Sequence, residues 1–128
     1  VITSGTDFAK RLRSRQPEWS VNAIACAVVP ELLAAADLPA WAAAVREQRS
    51  RLVALLEQHN LAAEPSEANF VLVPHAPGLR AHCAHGAVLL RDTASFGIHD
   101  GVRIAVPDEA GLERLALAME GYDVHDDH

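Results

Sequence analysis

Lysine is almost missing from this chain: Lys10 is the only one in 128 residues. Basic charge is short overall, with 11 Lys and Arg against 17 Asp and Glu, a net charge of -6. A chain this acidic lacks the clustered basic face that nucleic-acid binding needs. Lys10, Arg11, Arg13 and Arg15 form one short basic cluster near the start, read as a solvated helix end. Cysteine is also scarce. Cys26 and Cys83 lie far apart, outside any CxxC pair. They could close one disulfide, but each falls on an apolar helical stripe, which favours free thiols in a reducing cytosol. No apolar run approaches the length of a membrane span, and no signal-peptide pattern opens the chain. There is no internal repeat and no low-complexity stretch. The first residue is Val1 rather than Met, which reads as a fragment, a single domain or a processed product.

What is present is globular. Half of the residues are hydrophobic and 22% are charged. The length suits one domain with one core. Thr6 to Ser14 reads as a helix, broken at Gln16-Pro17-Glu18. Ser20 is placed to cap a helix from Val21 to Ala36. Its apolar residues run nearly all round, so burial on more than one side is expected, with a kink at Pro30. Asp37 and Pro39 open an amphipathic helix through Trp41, Val45, Leu52, Leu55 and Leu56, ending near His59 or Asn60. Asn69 to Val73 then reads as a strand, Gly78 to His85 as a short helix with Leu79 and Cys83 inward and Gly86 as its stop. Ala87 to Arg91 and Val102 to Val106 read as two more strands. Asp108 caps a last helix in which Leu112, Leu115, Ala116 and Met119 share a face. Tyr122 to His128 is expected to be a frayed acidic tail. The order predicts an α+β fold: long N-terminal helices, then a small, mainly antiparallel three-stranded sheet with helices on one face.

Arg91 and Arg103 carry the sharpest chemical signal. About ten residues, Asp92 to Gly101, link the second and third strands, which suits an antiparallel pair. Both guanidiniums then lie at one end of the sheet. Val102, Ile104 and Val106 alternate with Arg103 and Ala105, so Arg103 faces away from the domain's own core. Neighbouring guanidiniums repel unless an anion lies between them, and the planar fork of arginine fits carboxylate and phosphate. The competing reading pairs Arg91 with Asp92 or Asp100 and leaves Arg103 merely exposed.

Four ordered motifs carry a family resemblance: Gln16-Pro17-Glu18-Trp19-Ser20-Val21-Asn22, Glu67-Ala68-Asn69-Phe70-Val71-Leu72-Val73, Leu90-Arg91-Asp92-Thr93-Ala94-Ser95-Phe96, and Val102-Arg103-Ile104-Ala105-Val106. Together, from about Phe8 to Met119, the chain resembles the C-terminal third of histidinol-phosphate aminotransferases and of the cobalamin-pathway threonine-phosphate decarboxylases, both fold-type I pyridoxal-phosphate enzymes. Ser95-Phe96-Gly97 leans toward the cobalamin branch. The resemblance implies a C-terminal small domain: residues 1–36 as interdomain helices, 37–121 as the small domain, 122–128 as a tail. It implies that Arg103 binds the carboxylate or phosphate of the substrate and Arg91 a second anionic group, with Trp19 and Asn22 near the active site. It implies a cytoplasmic homodimeric parent that binds pyridoxal phosphate and an anionic amino-acid or phosphate substrate, with a large domain as the fragment's partner and neither nucleic acid nor membrane. The family's Schiff-base lysine lies upstream of the matching segment. Lys10, set among arginines, lacks that lysine's flanking residues, so the fragment itself is expected to hold no cofactor and to be inactive. The alternative is a stand-alone interaction or regulatory module that keeps the fold without the chemistry.

Other candidates read blandly. His82 and His85 share a helix with Cys83 but fall short of the three or four ligands that a metal site needs. His75 and His99 belong to loops, His99 lying between the two arginines in sequence. His125 and His128 are tail residues, and Trp41 is expected to pack.

Overall fold

The computed structural model describes residues 5–17 and 21–124. These form five α-helices, a three-stranded antiparallel sheet and one 3-10 turn, an α+β fold. The chain divides into two units, Val1–Leu38 and Pro39–His128.

In the first unit, α1 spans Thr6–Arg13 and α2 spans Ala23–Ala35. The cap of α2 is Asn22, whose Oδ1 accepts a 2.8 Å hydrogen bond from the Ala25 amide. The Ser20 expected in that role lies outside the described residues, as does Trp19. Pro30 sits within α2 as a continuous helix. Burial on several sides is not found. α2 has no buried residue, Ile24 and Leu32 are more than 60% exposed, and Cys26 is exposed too. An all-round apolar helix marks a surface that needs covering, and no described residue buries it.

The second unit holds the core. α3, Leu38–Gln58, turns Leu52 and Leu56 inward at full burial, while Trp41 stays 63% exposed instead of packing. It ends at Gln58, and two residues on Asn60 takes a left-handed φ of 59°, a conformation that asparagine tolerates. α4, Leu79–His85, and α5, Glu109–Ala118, complete the helical layer. Leu79, Cys83, Leu112, Leu115 and Met119 join the same buried cluster. Burial pushes the Cys83 thiol up to about 11, so it behaves as a small hydrophobe. Asp108 caps α5 through a 2.8 Å bond from the Gly111 amide, worth about 1 kcal/mol. Tyr122 is not frayed: its hydroxyl donates to the Pro77 carbonyl at 2.8 Å. Residues 125–128 of the tail lie outside the description.

The sheet runs β1 (Phe70–Val73), β3 (Val102–Ala105), β2 (Arg91–Asp92), with β3 central and both pairings antiparallel. Val71, Val73, Val102 and Ile104 face the helices and are buried. The second strand is far shorter than Ala87 to Arg91 and starts, rather than ends, at Arg91. The chain leaving α4 is a turn. The Gly86 and Val88 amides both donate to the Cys83 carbonyl, and Ala87 takes a left-handed φ of 59°. Ala87 to Leu90 therefore make no ladder; Leu90 drops into the core and Leu89 is 88% exposed. No single described helix is long and apolar enough to cross a membrane.

Candidate functional site

Strand alternation puts Phe70, Leu72, Arg103, Ala105 and Arg91 on the sheet face opposite the helices. The register makes the arrangement specific. Leu72, Arg103 and Arg91 form one row across the three strands, and Phe70 pairs with Ala105 in the next. Arg91 and Arg103 are thus direct cross-strand partners, closer than a shared sheet end requires. Like charges directly opposite destabilise an antiparallel pair by about 0.2–1 kcal/mol.

Aromatic rings, not carboxylates, support the two guanidiniums. Arg103 lies 4.8 Å from the centre of the Phe70 ring and Arg91 lies 5.9 Å from that of Phe96. Among the described residues neither arginine has an acidic partner within ion-pair distance. The alternative pairing with Asp92 or Asp100 is not formed: Asp92 lies 3.9 Å from Arg80. A guanidinium held over a ring's face spends no N–H donor on a carboxylate there, which leaves its fork open to an anion's oxygens. Arg103 borders a recess of about 120 Å³ with Leu90, Ala105 and Pro107.

The β2–β3 connection fixes this face. Thr93, the one buried polar residue among the described residues, donates its hydroxyl to the Ile98 carbonyl at 2.8 Å. Asp92 Oδ1 accepts from the Ala94 amide at 2.9 Å, starting the 3-10 turn Ala94–Phe96 that presents Phe96 to Arg91. Gly101 closes the loop where a Cβ would lie 2.6 Å from Thr93 Oγ1 and 3.0 Å from the Val73 carbonyl oxygen.

Of the residues expected at the site, the fold brings Arg91 and Arg103 together. Asn22 belongs to the other unit and uses its side chain as a helix cap. His99 is exposed in the loop. His82 Nε2–H donates to the Glu120 carbonyl and its ring meets Tyr122 edge-on, and no metal-ligand cluster occurs among the described residues. Phe70, Phe96 and Thr93 were not singled out from the sequence. Phe70 was within reach, since alternation from Val71 and Val73 puts it on the Arg103 face.

Pyridoxal phosphate does not fit this chain's residues. The cofactor needs a lysine for its Schiff base and an acid for its ring nitrogen. Lys10 is exposed on α1, and among the described residues no carboxylate is buried.

No family model and no curated protein matches the chain. Among solved structures, it is similar to a candidate aminotransferase from Burkholderia pseudomallei K96243, at 29% identity with a TM-score of 0.56. The match covers 60% of this chain and 24% of that one, so the chain spans no more than a fraction of that protein's length. Over the matched part the chain has an aminotransferase-like fold.

Proposed function

We propose that this chain is the substrate-anion-binding small domain of a pyridoxal-phosphate-dependent aminotransferase or amino-acid-phosphate decarboxylase, acting in cobalamin or histidine biosynthesis. The observation that carries the reading is Arg91 opposite Arg103, two stacked guanidiniums with no carboxylate between them among the described residues. The likeness to a candidate aminotransferase four times as long as the matched part supports it. In this reading the cofactor, its lysine and the chemistry belong to a large domain of the same protein, in a cytoplasmic homodimer. This chain grips the anionic end of the substrate and is inactive alone. A desolvated charge-assisted contact is worth about 2–4 kcal/mol, so Arg103→Ala in the complete enzyme lowers kcat/KM for the anionic substrate about thirty- to a thousandfold. Cofactor absorbance stays at the parent level, and Arg103→Lys restores only part of the loss, because an ammonium lacks the fork. Parent kinetics in both Arg91→Ala and Arg103→Ala would refute the reading.

A further inference from the structure

Phe70, the ring under Arg103, is the first residue of β1, and its pairing with Ala105 is the last rung of the ladder. Strand ends fray unless the chain beyond them is tied down. Here that chain is the loop from Glu64 to Asn69, which runs back along the outer edge of β1. The Glu64 amide donates to the Leu72 carbonyl at 2.8 Å. The Ser66 hydroxyl donates to the Phe70 carbonyl at 2.7 Å and accepts from the Ala68 amide at 3.1 Å. These bonds shape the loop against β1 but do not tie it to the helical layer. A recess of about 360 Å³, lined by Val53 of α3 and by Ala63, Pro65 and Val71, lies between the loop and that helix, so packing does not close the gap. Arg49 of α3 bridges it. Its Nη1 donates to the carbonyl of Ala68, just ahead of Phe70, at 2.8 Å, and its side chain is only 11% exposed. Its Nη2 lies 3.9 Å from the Glu67 carboxylate, but that side chain is 98% exposed, and an ion pair so solvated contributes little.

We propose that Arg49 is a positioning residue for the candidate site: its bond to the Ala68 carbonyl clasps the 64–69 loop to α3 and so keeps the Phe70 ring under Arg103. The proposal rests on the reading of Arg103 as an anion-binding residue and adds a group that acts on Arg103 only through Phe70. A guanidinium this poorly hydrated needs a strong acceptor, and a charge-assisted bond to a carbonyl supplies one. Opening the loop would leave that cation with no partner but the solvated Glu67, so the bond resists fraying at the end of β1. Lysine is a poor substitute. Its ammonium is a point charge on a flexible stem and lacks the planar fork that Arg49 turns toward both Ala68 and Glu67. The Phe70 ring gives Arg103 orientation rather than a counter-charge, and that orientation is lost when the last rung opens.

The test reads the Arg103 Nε–H and δ-proton resonances by NMR in the isotope-labelled chain. Lying over the ring, these protons are shifted upfield by its ring current, and Phe70→Leu marks their position without it. Arg49→Gln moves them most of the way to that position, while the core resonances of Leu79, Leu112 and Met119 stay in place. Arg49→Lys stops partway, and Glu67→Gln leaves them at the parent position. In the complete enzyme, Arg49→Gln raises KM for the anionic substrate about three- to tenfold, the scale of one lost hydrogen bond, with kcat and cofactor absorbance at the parent level. Parent positions in Arg49→Gln overturn the clasp; should that variant not fold, parent positions in Arg49→Lys do the same. An equally large shift in Glu67→Gln also overturns it, by giving the role to the ion pair. If Arg49→Gln moves the resonances but not KM while Arg103→Ala is impaired, the proposal falls and the reading of Arg103 stands. If Arg103→Ala keeps parent kinetics, the anion reading falls, and the spectra alone decide whether Arg49 holds Phe70.

Discussion

Adding one methyl group at Gly101 tests how the candidate site is held. Gly101 is buried and its φ lies outside the left-handed region, so alanine meets no backbone penalty there. The obstacle is space. The new Cβ would lie 2.6 Å from Thr93 Oγ1, 2.7 Å from Ile98 Cγ2 and 3.0 Å from the Val73 carbonyl oxygen. Val73 is tied into the ladder opposite Val102, so that oxygen cannot retreat cheaply. Thr93 must turn instead, giving up its bond to the Ile98 carbonyl. Overpacking costs about 1–3 kcal/mol, and a buried hydroxyl left unsatisfied costs about as much again. Against this, alanine restricts the unfolded chain and returns about 0.4–1 kcal/mol. The expected net loss is about 1–5 kcal/mol, or a Tm lower by roughly 5–25 °C for a domain of this size. Thermal unfolding followed by circular dichroism measures it. A cycle with Thr93→Ala isolates the cause: if the two side chains collide, the double variant is more stable than additivity predicts by about 1 kcal/mol. Gly101→Ala within about 2 °C of the parent, or strict additivity in the cycle, would refute the latch.

Two further outcomes follow from other parts of the chain. The Arg51 guanidinium bonds the Glu109 carboxylate, which holds Glu109 below the usual carboxylate range and raises Arg51. A depressed folded-state acid stabilises above its unfolded value, near pH 4.3, and loses that contribution as pH falls through the folded value; Glu109→Gln is therefore less stable than the parent at neutral pH, and the two unfolding curves converge in strong acid. The uncovered apolar surface of α2, with Ile24 77% and Leu32 62% exposed, drives self-association; sedimentation velocity shows concentration-dependent species that Ile24→Glu/Leu32→Glu abolishes, and a clean monomer at high concentration would count against a detached domain.

Local pattern carried the fold where one face of one element settles its burial. Leu52 and Leu56, and then Leu112, Leu115 and Met119, recur at helical spacing and are the residues the core takes. Alternation in Val102 to Ala105 likewise turned Arg103 away from the core. Pattern misled where an apolar run has no period. Ala87, Val88, Leu89 and Leu90 look like a buried strand, yet a left-handed residue at Ala87 and two amides bonded to one carbonyl make them a turn. α2 misled for a related reason: its apolar character reports a surface that needs covering, not one that the described residues cover.

The site divides the same way. Facing guanidiniums were legible because register and alternation are simple geometry. Their support by Phe70 and Phe96 was not, because a ring's position over a cation depends on tertiary placement. That support gives the pair its meaning. A sheet that merely tolerated Arg91 opposite Arg103 would relieve the repulsion with a carboxylate, and the nearest one, Asp92, is turned to Arg80 instead. Rings relieve nothing electrostatically comparable, but they fix each guanidinium in orientation while leaving its donors open. A like-charge pair beside a buried threonine latch, left without a counter-ion among the described residues, is the observation on which the proposed anion site rests.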